Sequence, residues 1–284
     1  MERIYTKQLL DWYKKPRRKP LIMWGARQVG KTYLLKELFL KKYFKDYVYI
    51  DFSKHDDLSN YFNSTCNPQN YLDYIETRFG KRITPEVPLV MDEIQNCPLV
   101  LTSLKYFCED YRSLPIIATG SMVRLSVQKN KKELDEKHFL FPTGKIDSIT
   151  IYPLTFEEFL MNTNPRLQKK IIEAYNTKQP LESIYHSMAM SLLHQYLLLG
   201  GLPEVIDTFL QTKSYVEAKE VLNSVYKSYL CDMEFYNIST ANILKTRKVY
   251  RNIFNELNKE NKNFKVSNIE KGKSNRDGSD RRFP

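Results

Sequence analysis

Residues Gly25-Ala26-Arg27-Gln28-Val29-Gly30-Lys31-Thr32 set two glycines five positions apart and follow the second with a lysine and a hydroxyl residue. This is the pattern G-x-x-x-x-G-K-[ST], whose backbone N–H groups cradle phosphates when a strand precedes it and a helix follows. Both neighbours are legible. Leu21, Ile22, Met23 and Trp24 form a short apolar run after Pro20, as in a buried strand, and Leu34, Leu35, Leu38 and Phe39 recur at helical spacing across 33–42. A glycine turn capping an ordinary helix is the plainer reading, and the order strand, loop, helix favours the cradle.

The residue types fit the chemistry. Gly25 and Gly30 can adopt backbone angles closed to other residues, so the amides of Ala26, Arg27, Gln28 and Val29 can turn inward around an anion. The helix opening at Lys31 adds its positive end. In such a loop Lys31 reaches the β- and γ-phosphates and the Thr32 hydroxyl ligates Mg²⁺.

Strands and helices alternate after the loop, which predicts an α/β fold with a parallel sheet flanked by helices. A second strand is expected over 47–52 and a helix over 60–78. The run Pro88-Leu89-Val90-Met91-Asp92-Glu93 is a third strand that ends in two acids. Isolated, such a pair reads as a cap or a solvated edge; following a phosphate cradle, Asp92 becomes the metal-side candidate and Glu93 the group that polarises an attacking water. A helix over 98–111 leads to the strand at 114–118, which ends in Thr119-Gly120-Ser121. The Thr119 and Ser121 hydroxyls can bond a γ-phosphate or the lytic water, or Ser121 can cap the next helix.

The charge run 128–137 reads as a solvated loop, and 148–152 as a fifth strand. Pro153 stops that strand, Thr155 caps the next helix, and Glu158 three residues later completes a capping box, a structural role for the Glu157 and Glu158 pair. From Pro165 onward helical periodicity takes over. Helices are expected over 184–199, after Pro203, over 215–235 and over 241–259, with Gly200 and Gly201 closing the first. The resulting domain expectation is a core over 1–162, a helical lid over 163–262 and an end segment over 263–284.

The balance of 27% charged and 42% hydrophobic residues is that of a globular protein, and the sequence has neither an apolar run of membrane-spanning length nor a signal-peptide start at Met1. The cytoplasm is the expected compartment, with no membrane partner. Cys66, Cys97, Cys108 and Cys231 form no C-x-x-C pair and read as buried thiols. A net charge of +11 permits contact with DNA through the basic surface, though no recognisable reading module accompanies it.

Five segments in this order resemble the AAA-type P-loop ATPases of bacteria and archaea known as AAA_14, with a DUF4143 C-terminal region. They are residues 25–32, Met91-Asp92-Glu93-Ile94-Gln95, Thr119-Gly120-Ser121, Tyr152-Pro153-Leu154-Thr155-Phe156-Glu157-Glu158-Phe159 and Gly200-Gly201-Leu202-Pro203-Glu204. The resemblance implies an ATPase core, a helical lid and a winged-helix segment, followed in full-length relatives by a nuclease-like domain. Two departures stand out. Relatives often place Gly-Arg before the last core strand where this chain has Gly144-Lys145, which keeps the charge but loses the planar fork; Arg124 is the candidate substitute. Phe264-Lys265-Val266-Ser267-Asn268-Ile269 resembles the start of a winged helix, yet 271–284 has almost no apolar residue, so an incomplete winged helix in a truncated chain is expected.

The functional expectation is an Mg²⁺-dependent ATPase: residues 25–32 bind ATP, Thr32 and Asp92 hold the metal, and Lys31, Glu93, Thr119 and Arg124 serve catalysis, in a chain able to form a homo-oligomer. The alternative is a nucleotide-gated module, DNA-associated or signalling, with little or no turnover.

Overall fold

The computed structural model describes residues 1–54, 56–120, 142–236 and 240–258. Ser121, Arg124, the charge run 128–137 and the end segment 263–284 lie outside the described residues. Two compact units are present, Met1–Leu222 and Asn223–Pro284.

The first unit is built on a five-stranded, all-parallel sheet in the order β2-β3-β4-β1-β5, with β1 Leu21–Trp24, β2 Val48–Asp51, β3 Leu89–Asp92, β4 Ile116–Gly120 and β5 Asp147–Thr150. Alternation along the strands divides the core. Leu21 and Met23 join Val90 and Ile117 on one face, against the helix Tyr5–Tyr13 and the helix following the glycine loop. Ile22 and Trp24 join Ile50, Met91 and Ala118 on the other, against Pro68–Phe79 and Pro98–Asp110. With both faces covered, β1, β3 and β4 are buried along their whole length, as a parallel sheet requires.

The expected strands are all present. The helix expected over 60–78 is instead two, Asp56–Phe62 and Pro68–Phe79. Pro68 cannot continue a helix from upstream but suits a first turn, and the Asn67 side chain caps it by accepting from the Gln69 amide at 3.0 Å. The Tyr71 hydroxyl sits 2.7 Å from the Phe62 carbonyl and 2.6 Å from that of Thr65, so the break is tied into the core. The helix after the loop is continuous over 31–43, but its middle, Leu34–Leu40, is wound as a wider π-helix.

Beyond β5 the described residues are helical. Thr155 and Glu158 form the expected capping box at the start of Phe156–Thr163. Ser183–Leu199 ends at Gly200, whose φ of +73° is the left-handed region that glycine tolerates, and Pro203–Thr212 begins with proline in its first turn. These helices enclose a third core of Leu154, Phe159, Leu199, Val205, Ile206 and Phe209. In the second unit Tyr226 and Tyr250 stack with ring centroids 5.3 Å apart. Cys97 and Cys108 are buried as expected, whereas Cys66 is half-buried and Cys231 is exposed. Among the described residues no helix is long and apolar enough to cross a membrane.

Candidate nucleotide site

The glycine loop leaves β1 at the carboxyl edge of the sheet, between β4 and β5. At Gly25 the need for glycine is steric: a β-carbon there would lie 2.5 Å from the Ile151 carbonyl oxygen. At Gly30 it is conformational, since φ is +87° and this residue caps the helix carrying Lys31. Gln28 also takes a positive φ, 62°, inside the turn.

Lys31 is almost wholly buried, and its ammonium donates to the carbonyls of Gly25 at 2.9 Å and Ala26 at 2.7 Å. The lysine thus lies folded against the loop it follows. Burial pulls its pKa below the ordinary lysine value; the charges of Glu93 and Asp92 raise it in part, and Arg27 lowers it again.

Asp92, at the tip of β3, is 3% exposed and collects hydroxyls. Its Oδ2 faces the Thr32 hydroxyl at 3.4 Å and accepts from the Tyr49 phenol; its Oδ1 accepts from the Thr119 hydroxyl and from the Glu93 amide at 3.0 Å. Helix 31–43, β2, β3 and β4 therefore converge on one carboxylate. Burial, and after it the charge of Asp92, push the Tyr49 phenol far above the usual tyrosine range, so it remains a donor.

Glu93 breaks the strand with φ 58° and ψ 45°, a left-handed conformation unusual for a residue with a side chain. Its carboxylate accepts from the Gln95 side-chain amide, and Gln95 is fully buried. A β-carbon on Gly120 would sit 3.1 Å from the Gln95 Oε1, so the tip of β4 closes over the same group.

The structure brings Gly25 through Thr32, Asp92, Glu93 and Thr119 to one end of the sheet. Arg27, Gln28, Gly30, Lys31, Thr32 and Glu93 line a cleft of about 1170 Å³. Thr119 is fully buried beneath it, donating to Asp92. Lys145, from the Gly144-Lys145 pair, is paired with Glu109 at 2.9 Å instead. Arg124 and Ser121 lie outside the described residues.

Two contributors were not singled out from sequence. Tyr49 is one; period-two alternation places it on the face of β2 opposite the buried Val48 and Ile50, but only topology shows that this face meets Asp92. Arg3 is the second: buried and ion-paired through Nε with Glu158 at 2.8 Å, it also donates to the Val29 carbonyl in the loop at 2.8 Å. Pro203 and Glu204, from the Gly200–Glu204 segment, line the cleft from the helical region; a β-carbon on Gly30 would lie 3.4 Å from the Pro203 ring.

The donor set suits a small hard cation. Among the described residues no three His, Cys, Asp or Glu side chains gather into a metal cage. Mg²⁺ does not need one, because it commonly takes one or two protein oxygens and completes its shell from phosphate and water. Thr32 and Asp92 present such a pair.

The family described as an AAA domain, AAA_14, matches residues 17–160. The chain is also similar to an uncharacterized protein, MJ1544, of Methanocaldococcus jannaschii, 24% identical over 240 residues that cover 83% of this chain and 46% of the relative. The chain thus spans less than half of that relative's length. Among solved structures it is similar to the Walker-type ATPase PABY2304 of Pyrococcus abyssi, with a TM-score of 0.45 and 16% identity over 90% of this chain and 77% of that one. A weaker likeness, TM-score 0.30 and 15% identity over 63% of this chain and 47% of the other, is to PCH-2 of C. elegans.

Proposed function

Because the chain belongs to the AAA_14 family of AAA domains, we propose that it binds ATP with Mg²⁺ in the cleft and hydrolyses the terminal anhydride bond. The observation that carries this reading is the meeting of Thr32 and Asp92, 3.4 Å apart, beside a buried lysine at the mouth of a glycine loop. Amides of 26–30 and the end of helix 31–43 hold phosphate oxygens. Lys31 exchanges its two carbonyl acceptors for β- and γ-phosphate oxygens, neutralising charge. Thr32 and Asp92 hold the cation, which when bound withdraws charge from the phosphates. Glu93 orients the attacking water and takes up its proton, and Thr119 fixes the Asp92 carboxylate through its Oδ1.

In the same reading residues 1–162 are the ATPase core and 163–262 a helical lid whose Pro203 and Glu204 reach the cleft. The test is calorimetry of ATP with and without Mg²⁺, followed by phosphate release. Saturable heat and turnover support the reading; no heat with any purine triphosphate overturns it. The net charge of +11 permits a DNA partner, tested by salt-dependent stimulation of turnover with duplex DNA. Turnover per chain that rises with protein concentration tests self-association.

A further inference from the structure

The hydroxyl cluster around Asp92 is Thr32, Thr119 and Tyr49, and of these only Tyr49 lies outside the motifs at 25–32, 91–95 and 119–121. Tyr49 lies on β2, an edge strand separated from β1 by β3 and β4. In the β2–β3 register Tyr49 stands opposite Val90 and Asp51 opposite Asp92, so the tyrosine starts two residues short of the carboxylate. Its long side chain covers that offset, and its phenol donates to Asp92 Oδ2.

That oxygen is the one facing Thr32. The two carboxylate oxygens are thereby distinguished: Oδ1 is taken by Thr119 and the Glu93 amide, and Oδ2 by Tyr49 with the Thr32 hydroxyl at 3.4 Å. A carboxylate oxygen has two lone-pair directions. With the phenol on one, the other is left pointing at Thr32, where the cation of the proposed function would sit.

The ring is itself held. Lys36 Nζ lies 3.9 Å from its centroid, and Lys36 belongs to the π-helical stretch Leu34–Leu40 of the helix that carries Thr32. Tyr49 also packs against the core that contains Val29, Leu35 and Val90. One side chain thus joins the helix that supplies Thr32 to the strand that supplies Asp92.

We propose that Tyr49 is a positioning residue for the divalent cation, holding Asp92 Oδ2 so that it and Thr32 bind Mg²⁺ together. The proposal rests on the nucleotide reading above. It acts through Asp92, and groups that orient a metal-binding carboxylate typically contribute 10–100-fold to metal affinity.

The test is Tyr49→Phe, which removes one oxygen and keeps the ring, its core packing and its contact with Lys36. ATP binding is titrated by calorimetry at increasing Mg²⁺ and again in chelator, beside a melting curve. The expected result is an Mg²⁺ half-saturation raised about 10-fold, with unchanged Mg²⁺-free ATP affinity. A double-mutant cycle with Asp92→Asn guards against a merely structural effect: in that background Tyr49→Phe is expected to change the half-saturation no further. Superimposable Mg²⁺ titrations, a lowered half-saturation, or full additivity in the cycle would overturn the role of Tyr49 while leaving ATP binding intact. Absence of ATP binding by the parent chain at any Mg²⁺ concentration would instead remove the nucleotide reading and this proposal with it.

Discussion

Arg3 and Glu158 meet as a buried ion pair, Nε to Oε1 at 2.8 Å, although 155 positions separate them. The remaining guanidinium nitrogens donate to the Val29 carbonyl at 2.8 Å and the Tyr152 carbonyl at 2.7 Å. Glu158 in turn accepts from the amides of Ile4 and Thr155. One ion pair thereby fastens the N-terminal segment, the glycine loop, the exit from β5 and the first turn of Phe156–Thr163.

Removing one partner strands the other charge in a dry environment. Glu158→Ala is expected to cost about 3–5 kcal/mol in urea unfolding. The double change Arg3→Met with Glu158→Leu is expected to cost less than the single one, because it leaves no uncompensated charge. A double variant as unstable as Glu158→Ala would show that the hydrogen bonds of Arg3 to Val29 and Tyr152 matter more than its pairing.

Lys31 makes a pH prediction with a definite sign. Burial lowers its pKa in the folded chain below the ordinary 10.5. Below the lowered value the lysine is charged in both folded and unfolded states, and folding bears the whole desolvation cost. Between the lowered value and 10.5 the unfolded chain holds the proton and the folded chain releases it, so stability rises with pH in that window. Unfolding free energies of the parent chain minus those of Lys31→Met are expected to climb as pH approaches 10.5. Triphosphate binding runs the other way, because it needs the charged lysine, and affinity is expected to fall across the same window. Lys31→Ala is expected to lose tight nucleotide binding at neutral pH.

Glu93 separates binding from chemistry. Its left-handed backbone and its bond from the buried Gln95 amide hold the carboxylate at the cleft wall while Asp92 next to it points into the hydroxyl cluster. Glu93→Gln keeps the shape and removes the proton acceptor. Equilibrium ATP affinity is expected to stay within about twofold and single-turnover hydrolysis to fall about 10²–10⁴-fold. Equal turnover in the two forms would refute Glu93 as the base.

What could be read in advance followed from local rules. The glycine loop, the strand ending at Asp92 and the capping box at Thr155 and Glu158 are each written within a few consecutive residues. Tyr49 and Arg3 are not. A tyrosine alternating with Val48 and Ile50 looks like any half-buried strand residue, and its phenol reaches Asp92 only because β2 pairs with β3 rather than with β1. Arg3 looks like a surface cation beside Glu2 until the chain returns at Glu158. The break at 63–67 is itself local, because Pro68 cannot continue a helix from upstream and Asn67 caps the one it begins, which the single span 60–78 runs across.

Gly201 connects the helical region to the cleft through backbone alone. A β-carbon there would overlap the Leu154 carbonyl oxygen and lie 3.0 Å from Pro153 Cβ, while the Gly201 carbonyl accepts from the Leu154 amide at 2.6 Å. Two residues later Pro203 packs toward Gly30, and with Glu204 it lines the cleft. Gly201→Ala therefore has to push the 200–204 segment away from 153–154. It is expected to cost about 1–3 kcal/mol of stability and to weaken ATP binding as Pro203 withdraws. Gly80→Ala is the matched control: its φ of +63° makes alanine strained by about 1–2 kcal/mol, but no atom stands within 4 Å and Gly80 is not among the residues lining the cleft. Comparable losses of stability with ATP affinity reduced only in Gly201→Ala would tie the glycine to nucleotide binding. Equal affinities in the two variants would confine its role to folding.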